Sequence, residues 1–248
     1  MMEKEKIPGE WLLGLVFLVL LLGSLLIYYG GGMLTGGGVA KIQNAGSEVG
    51  CGGINRTFAL QQNVASSGTC YIINASNIEL NCAGYRINYS FIGNGGYGVN
   101  VSGFTNVTIR NCIIVEGTGN GTAQHGILLD GNATTISDHI NIINTTITVQ
   151  GTRSQAIAIR NFVNHTNISS VIITASGGNG SGIFLTDAHH NLIYYSEINT
   201  TGSAAKGIVL TTASNTTLVA NTIRTFSGYS LELSDAGVNN TRIYNTTL

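Results

Sequence analysis

The residues with the most obvious capacity for chemistry are Asp187, His189 and His190, which stand together in the segment LTDAHHN. A carboxylate beside imidazoles can transfer protons or bind a metal ion. Neighbouring side chains of an extended segment point to opposite sides, so His189 and His190 need not act together. A solvated turn is the favoured interpretation, with acid–base catalysis or metal binding as the alternative. The sequence therefore predicts no metal site and no cofactor.

The chain around these residues is a repeat of short strands. Six segments begin on a small residue and then alternate, with starts 23 to 30 residues apart: Gly98-Val-Asn-Val, Gly126-Ile-Leu-Leu, Ala156-Ile-Ala-Ile, Gly182-Ile-Phe-Leu, Gly207-Ile-Val-Leu and Ser230-Leu-Glu-Leu. A second strand, clearest as NVTIRNCI from Asn106, recurs with the same rhythm. It ends near a polar residue that predicts a column of turns at Asn81, Asn111, Asn144, Ser170, Ser196, Asn221 and Asn245. Self-similarity at this period indicates a solenoid, here a β-solenoid of about seven coils.

The alternation also predicts the core. Successive side chains of a strand point to opposite faces, and positions two and four of the first strand are aliphatic in every repeat. In the second strand, Val107 and Ile109 have aliphatic counterparts at Ile140, Ile142, Ile168 and Ile198. Each coil is therefore expected to add one layer of like residues to a continuous core.

Each strand is expected to pair with its equivalent one coil further on, which gives parallel sheets. Parallel strands joined by a crossover are right-handed in about 98% of cases, so the coil is predicted to be right-handed. The Asn-x-x-Ile-x-Asn-x-Ile and Gly-Ile-x-Leu lines over residues 74–248 resemble the right-handed parallel β-helix repeat family of the pectin-lyase-like superfamily, in particular its NosD-like repeats. The resemblance implies this fold, with a polysaccharide lyase or hydrolase as the enzymatic alternative.

The acidic residues of the repeat do not form the site that such an enzyme needs. Hydrolases use paired carboxylates roughly 5–9.5 Å apart, and lyases use clustered acidic calcium ligands with a basic residue as the base. The carboxylates here fall in different slots of the repeat: Glu79, Glu116, Asp130, Asp138, Asp187, Glu197, Glu232 and Asp235. The Asp-Asp and Gly-His-Gly signatures of polygalacturonases are absent. A structural or binding role is therefore favoured, and catalysis is the alternative.

The four cysteines are expected to form disulfides, because the count is even and the chain is predicted to be exported. Cys82 and Cys112 each follow the Asn of the turn column, so they are assigned to one slot on neighbouring coils. Stacked strands lie about 4.8 Å apart, within the range of roughly 4.4–6.8 Å that a disulfide needs between Cα atoms. We predict Cys82–Cys112, with Cys51–Cys70 closing the entry coil. Stacked free thiols at Cys82 and Cys112 are the alternative.

The N-terminal segment predicts export to the outer side of the cell membrane. Residues 11–28 are uncharged and apolar over nearly the ~20 residues that span a bilayer, with Trp11 and Tyr28 at the two ends. Basic residues precede this stretch, which places the N-terminus inside. The predicted parts are a cytoplasmic tail, a transmembrane signal anchor, a glycine-rich linker and an extracytoplasmic β-helix, at 1–9, 10–29, 30–50 and 51–248. A signal peptide cleaved near Ala40 and a pilin-type leader cut near Gly9 are the alternatives.

The outer face of the first strand carries an apolar row. On four consecutive coils, position three reads Leu128, Ala158, Phe184 and Val209. Contiguous exposed apolar surface marks interfaces, so these residues are candidate contacts for a partner, unless the long loops cover them. One position further on, Asp130 and Arg160 are expected to be neighbours that can pair.

Composition and sequons fit a surface protein. Charged residues make up only 9% of the chain and the net charge is −1, so nothing indicates nucleic acid as a partner. Asn-x-Ser/Thr recurs through the repeat, and the candidate glycosylation sites are Asn88, Asn120, Asn132 and Asn179. The alternative is that the turns of the repeat use Asn and Thr together anyway.

The last repeat stops at Leu248 without a capping unit. We expect Leu233 and Leu248 to line an uncovered terminal layer, so that either the chain is incomplete or this end contacts a partner. Together these patterns predict a membrane-anchored, extracytoplasmic β-solenoid with a structural or binding role at the cell surface. Its expected partner is a glycan or another protein.

Overall fold

The computed structural model describes residues 50–91, 95–118 and 121–248. In chain order its strands are β1 (Gly52–Ile54), β2 (Phe58–Ala59), β3 (Val64–Ala65), β4 (Tyr71–Ile73), β5 (Ile78–Asn81), β6 (Arg86–Tyr89), β7 (Tyr97–Ser102), β8 (Thr105–Arg110), β9 (Ile113–Glu116), β10 (His125–Asp130), β11 (Ser137–Ile143), β12 (Thr146–Val149), β13 (Gln155–Arg160), β14 (Val163–Asn164), β15 (Asn167–Ser169), β16 (Ile172–Ala175), β17 (Ser181–Thr186), β18 (Leu192–Tyr194), β19 (Glu197–Thr200), β20 (Lys206–Thr211), β21 (Thr217–Val219), β22 (Thr222–Thr225), β23 (Leu231–Leu233) and β24 (Arg242–Tyr244). Within these ranges no helix is long and apolar enough to cross a membrane. The predicted tail and signal anchor, and the linker up to residue 49, lie outside the described residues.

The strands form three parallel sheets, and each of the first seven coils contributes to all three, whereas β23 and β24 extend only sheets A and B. Sheet A has the order β1-β4-β7-β10-β13-β17-β20-β23, and sheet C is β22-β19-β16-β12-β9-β6-β3. Sheet B is β2-β5-β8-β11-β15-β18-β21-β24, with the short β14 also paired to β11. The described part of the chain is therefore an all-β, right-handed parallel solenoid of about seven coils, as the repeat predicted.

Each of these seven coils also contains a third strand, which the sequence patterns did not distinguish and which is formed by the segment after the turn column. Ile198, assigned to the second strand, lies in sheet C opposite Ile173. The counterpart of Ile168 in sheet B is Ile193. The short sheet C strands share the aliphatic alternation of sheet B, so periodicity alone did not separate the two.

The predicted core ladder of the first strand is confirmed. Ile127, Ile157, Ile183 and Ile208 are register partners from coil to coil, and all are fully buried. The terminal layer is also as predicted, since Leu233 is 52% exposed and Leu248 58% exposed. The aliphatic column is thus continuous inside the rod and opens to solvent at its last layer.

The column of turns that ends sheet B is shifted in part from its predicted positions. Asn111, Asn144, Ser170 and Asn245 do have the positive φ of a tight corner, whereas at the first corner the positive φ lies at Ala83 rather than at Asn81. On the two coils between Ser170 and Asn245, the corner residues are Tyr195 and Ala220, each at φ 52, rather than Ser196 and Asn221. The side chains of Ser196 and Asn221 lie one residue after the corner and form hydrogen bonds to the neighbouring coil instead. The Ser196 hydroxyl accepts from the Val171 N–H at 3.3 Å, and the Asn221 amide oxygen accepts from the Ser196 N–H at 3.0 Å.

Both predicted disulfides are present. Cys51 is bonded to Cys70 and Cys82 to Cys112, with a Cα–Cα distance of 4.7 Å in each pair. The two cysteines of the second pair do not share one slot, however. Residues 82–85 lie opposite residues 111–112, since the register runs from Asn81–Arg110 directly to Arg86–Ile113. The disulfide therefore joins two corners of unequal length.

The predicted pairing of Asp130 with Arg160 is confirmed. The two residues are register partners in sheet A, and the Arg160 guanidinium lies 3.3 Å from the Asp130 carboxylate. The Asn161 amide also donates to this carboxylate at 2.8 Å. Because both charged side chains are partly exposed, the pair contributes only about 0–1 kcal/mol to stability.

Candidate functional site

A column of left-handed residues marks the start of sheet B on successive coils. In chain order it contains Asn77, Asn106, His139, His165, His190, Asn215 and Asn240, with φ between 49° and 60°. Asn is common in this conformation because its short polar side chain bonds locally, and His is also enriched there. At both ends of the column the Asn amides bond one another, as Asn106 does to Asn77 at 2.9 Å. The three central coils carry imidazoles in place of these amides.

The three imidazoles are stacked. The rings of His139 and His165 lie 5.0 Å apart between centroids at 19°, and those of His165 and His190 lie 5.1 Å apart at 10°. One carboxylate joins the first two rings, because Asp138 Oδ2 is 2.9 Å from His139 Nδ1 and Asp138 Oδ1 is 2.9 Å from His165 Nδ1. We call Asp138, His139, His165 and His190 the histidine corner. All three of its histidines are exposed.

The Asp187–His189–His190 group predicted from sequence is divided between different contacts. His190 belongs to the histidine corner. Asp187 accepts a 2.6 Å hydrogen bond from the Thr212 hydroxyl, and His189 Nδ1 lies 2.8 Å from the Ser214 hydroxyl. Sequence reasoning missed His139 and His165, although the steps of 26 residues from His139 to His165 and 25 residues from His165 to His190 match the repeat.

The outer surface of sheet B, which we call the B face, begins at the histidine corner. Its first outward row contains Glu79, Thr108, Asn141, Asn167, Leu192, Thr217 and Arg242. Its second row contains Asn81, Arg110, Ile143, Ser169, Tyr194, Val219 and Tyr244. Tyr195 ends the face at the next corner, is 66% exposed and meets the Tyr194 ring edge-on at 5.6 Å. Four residues of strand separate the His190 corner from Tyr194, which is about 13 Å.

The B face thus combines amide and hydroxyl groups with exposed tyrosine rings. Asn167 Nδ2 donates to Asn141 Oδ1 at 3.2 Å, so the amides are aligned along the rod and keep other bonding positions free for a ligand. At the N-terminal end of the face the charges are paired, since Arg110 lies 2.8 Å from Glu79.

Carboxylates are kept apart by the register of the sheets. Within the described strands none lies opposite another on an adjacent coil; the partners are Thr108 for Glu79, Tyr89 for Glu116, Ser102 and Arg160 for Asp130, Thr105 and Asn164 for Asp138, Ile172 and Thr222 for Glu197, and Val209 for Glu232. The described residues contain a single cluster of three or more metal-ligating side chains, Asp138 with His139 and His165, and only one member is a carboxylate. The acidic calcium cluster of a lyase is not found among them, and no two carboxylates of the described strands are direct register partners.

The predicted interface row on sheet A has little exposure. Leu128, Ala158 and Val209 are 2%, 1% and 4% exposed, and Phe184 is half-buried. Its assignment to a partner remains a prediction. Among the glycosylation candidates, Asn132 and Asn179 are exposed and Asn88 is half-buried, whereas Asn120 lies outside the described residues.

Two buried titratable groups, His125 and Glu116, form hydrogen bonds to backbone N–H groups of a neighbouring coil. His125 lies under the stacked ring of Tyr97, and its Nδ1 accepts from the Gln155 N–H at 3.3 Å. Burial, together with the charge of Arg160, lowers the pKa of His125 from 6.5 to about 4, so the ring is neutral at neutral pH. Glu116 is 2% exposed and binds the next coil, because its Oε2 accepts from the N–H groups of Gln150 at 2.8 Å and Gly151 at 3.0 Å.

Burial raises the pKa of the Glu116 carboxyl above its ordinary 4.5, against the opposing effect of its hydrogen bonds. A carboxyl group whose pKa is higher in the folded state than in the unfolded state favours folding when it is protonated. Ionisation of the group then lowers the free energy of unfolding. The free energy of unfolding should therefore fall as the pH rises from about 4.5 through the raised folded value.

Glu116→Gln is expected to remove this pH-dependent loss. Its amide oxygen can accept the same two N–H groups, and its amide nitrogen can donate to the hydroxyl oxygen of Ser154, which lies 3.3 Å from Glu116 Oε1. Urea unfolding from pH 4 to pH 8 should show a stability difference in favour of the variant that grows with pH. Glu116→Ala, which leaves the two N–H groups unpaired, should be destabilised at every pH. A pH-independent difference between Glu116→Gln and the wild type would contradict this account.

Comparison with known proteins agrees with this architecture. A family model described as a right-handed β-helix region matches residues 88–248, which is more than half of the chain. The chain therefore belongs to the right-handed β-helix family, as its repeat lines indicated. No curated protein matches the chain. Membership in this family defines the fold, and function has to be argued from the site.

Proposed function

We propose that this chain is a membrane-anchored, extracytoplasmic β-solenoid that binds glycan at the cell surface through the B face. The observation that carries the proposal is the make-up of that face, on which aligned amide and hydroxyl side chains lie beside exposed tyrosine rings. No two carboxylates of the described strands are direct register partners, and no acidic cluster of three or more ligands is found among the described residues, which favours binding over hydrolysis or elimination. The export and the anchor are supported by the apolar segment at 10–29.

The chemistry of the B face suits a neutral sugar polymer. An exposed aromatic ring offers a flat apolar surface, and the hydroxyl of Tyr195 adds a polar group at its edge. Asn141, Asn167 and Thr217 supply both hydrogen-bond donors and acceptors, which match the hydroxyl groups of a sugar. The rows repeat at the spacing of the coils, so an extended polymer can meet polar side chains on several coils along the rod.

Glycan binding is tested with the full chain, purified in detergent from membranes, on a panel of neutral and acidic polysaccharides by isothermal titration calorimetry. We expect a neutral polysaccharide to bind and Tyr195→Ala to weaken its binding about tenfold, which is the loss of one good contact of about 1.4 kcal/mol. Phe226→Ala is the matched control, because Phe226 is a highly exposed aromatic residue that follows β22 of sheet C. This control should bind as the wild type does.

Three outcomes count against the proposal. They are a lack of binding across the panel, an equal loss in Tyr195→Ala and Phe226→Ala, and the appearance of an unsaturated sugar product by ultraviolet absorbance. The last of these would establish the lyase alternative.

A further inference from the structure

We propose that the histidine corner binds a divalent transition-metal ion, with Asp138, His139 and His165 as its ligands. This site lies at the edge of the B face where sheet B begins. The proposal goes beyond glycan binding and does not depend on it, since the ligands are outside the rows that would contact a sugar.

These three side chains bring their potential ligand atoms close together. One ligand atom from each lies within 4.8 Å of those of the other two. Each carboxylate oxygen is 2.9 Å from an imidazole nitrogen. Ligands at 2.0–2.1 Å in a tetrahedral site are separated by about 3.3 Å, so the two oxygen–nitrogen contacts have to open by only a few tenths of an ångström. When an ion binds, the stacked rings of His139 and His165 have to tilt toward each other, because an imidazole nitrogen binds a metal in the plane of its ring.

The donor set selects the class of ion. Two imidazole nitrogens with one carboxylate suit zinc or nickel, whereas calcium and magnesium prefer oxygen ligands throughout. Three protein ligands leave one tetrahedral position for water or for a group of a bound molecule.

The histidines are not required by the fold at this position. Four other coils use Asn in the same column with the same backbone conformation. Histidine replaces Asn only on three consecutive coils, where the imidazole rings stack on one another. The carboxylate of Asp138 lies beside the first of these rings. Asp138 has no charged partner in the sheet, because its register neighbours are Thr105 and Asn164. Its side-chain hydrogen bonds are to the two imidazoles, so the cluster presents an accessible site with mixed nitrogen and oxygen donors.

The column itself provides substitutions that keep the fold. His139→Asn and His165→Asn place in each slot the residue that neighbouring coils already carry. The matched control is His189→Asn, which changes the histidine next to His190 that bonds Ser214 and lies outside the proposed ligand set. Circular dichroism melting of each variant shows whether the solenoid is retained.

The experiment is titration of the full chain in detergent with zinc chloride alone at pH 7.5, by calorimetry and without any glycan. We expect one zinc ion per chain, and at least about tenfold weaker binding in His139→Asn and in His165→Asn. Asp138→Asn should also weaken binding, and His189→Asn should leave it unchanged. Nickel chloride is the second probe and should show the same order among the variants.

The proposal is overturned if neither ion binds the wild type, or if the folded His165→Asn variant binds as the wild type does. An equal loss in His189→Asn would also overturn it, because that variant retains all three ligands. Glycan binding is measured separately, so a failure here leaves the role of the B face intact, and the reverse holds as well.

Discussion

Replacing Ile173 by Ala is expected to lower the free energy of unfolding by about 2–5 kcal/mol. Ile173 is fully buried in sheet C, where its register partners are Ile147 on one side and Ile198 on the other. The substitution removes apolar surface from the core and leaves a cavity between two β-branched side chains that have few alternative rotamers. The coil lies in the interior of the rod, so layers on both sides hold the cavity open and limit its collapse.

Ile172 provides the matched control. It precedes Ile173 on the same strand, has the same side chain, and points outward with 50% exposure. Ile172→Ala should change stability by no more than about 0.5 kcal/mol. Chemical unfolding of both variants, followed by far-ultraviolet circular dichroism, measures the difference. Similar losses in the two variants would show that strand propensity, rather than burial inside the solenoid, controls stability at this strand.

The contrast between these two residues also explains why the core was predictable from sequence. Alternation assigns one residue of each neighbouring pair to the interior, and like residues recur at nearly the same spacing because parallel strands stack equivalent positions. The ladder from Ile127 to Ile208 followed directly from this pattern. The division of each coil into three strands did not, because Ile193 and Ile198 both fit an inward position and only the corner at Tyr195 separates their sheets.

The corners were less predictable because several residue types are accommodated there. The column that ends sheet B holds Asn144, Ser170, Tyr195 and Ala220 in one backbone conformation. The prediction of a polar corner residue therefore selected Ser196 instead of Tyr195. The Ser196 hydroxyl accepts a hydrogen bond from the residue after the corner of the neighbouring coil. Coil pairing fixes the backbone at this position, and the side chain remains free to vary.

The histidine corner shows the same limit in the candidate site. Its histidines recur at the period of the repeat, so their stacking could have been predicted from the sequence once the position of the corner in each coil was known. The bridging position of Asp138 was not, because alternation alone places its side chain and that of His139 on different sides. The left-handed backbone at His139 brings the two side chains together. The site therefore depends on the local backbone conformation, which the hydrophobic pattern of the sequence does not predict.

Loss of the Cys82–Cys112 disulfide is expected to reduce the free energy of unfolding by about 3–4 kcal/mol. The bond closes a loop with a sequence separation of 30, and the unfolded chain gains conformational freedom when this loop is opened. Both cysteines are buried, so Cys82→Ala with Cys112→Ala avoids placing hydroxyl groups in the core. Stability is measured by urea unfolding of the double variant and the wild type.

The loss should be concentrated near the disulfide, because each coil of a solenoid contacts only its neighbours. Amide hydrogen exchange is expected to accelerate in β5 and β8, which this disulfide connects at their ends, and to change little in β17 and β20. The control is the wild type under a reductant, which opens Cys51–Cys70 as well and should be less stable than the double variant. Uniform acceleration through all sheets would instead show that the rod unfolds as one cooperative unit. In that case the disulfide would stabilise coils that it does not touch, and the nearest-neighbour account of the rod would be wrong.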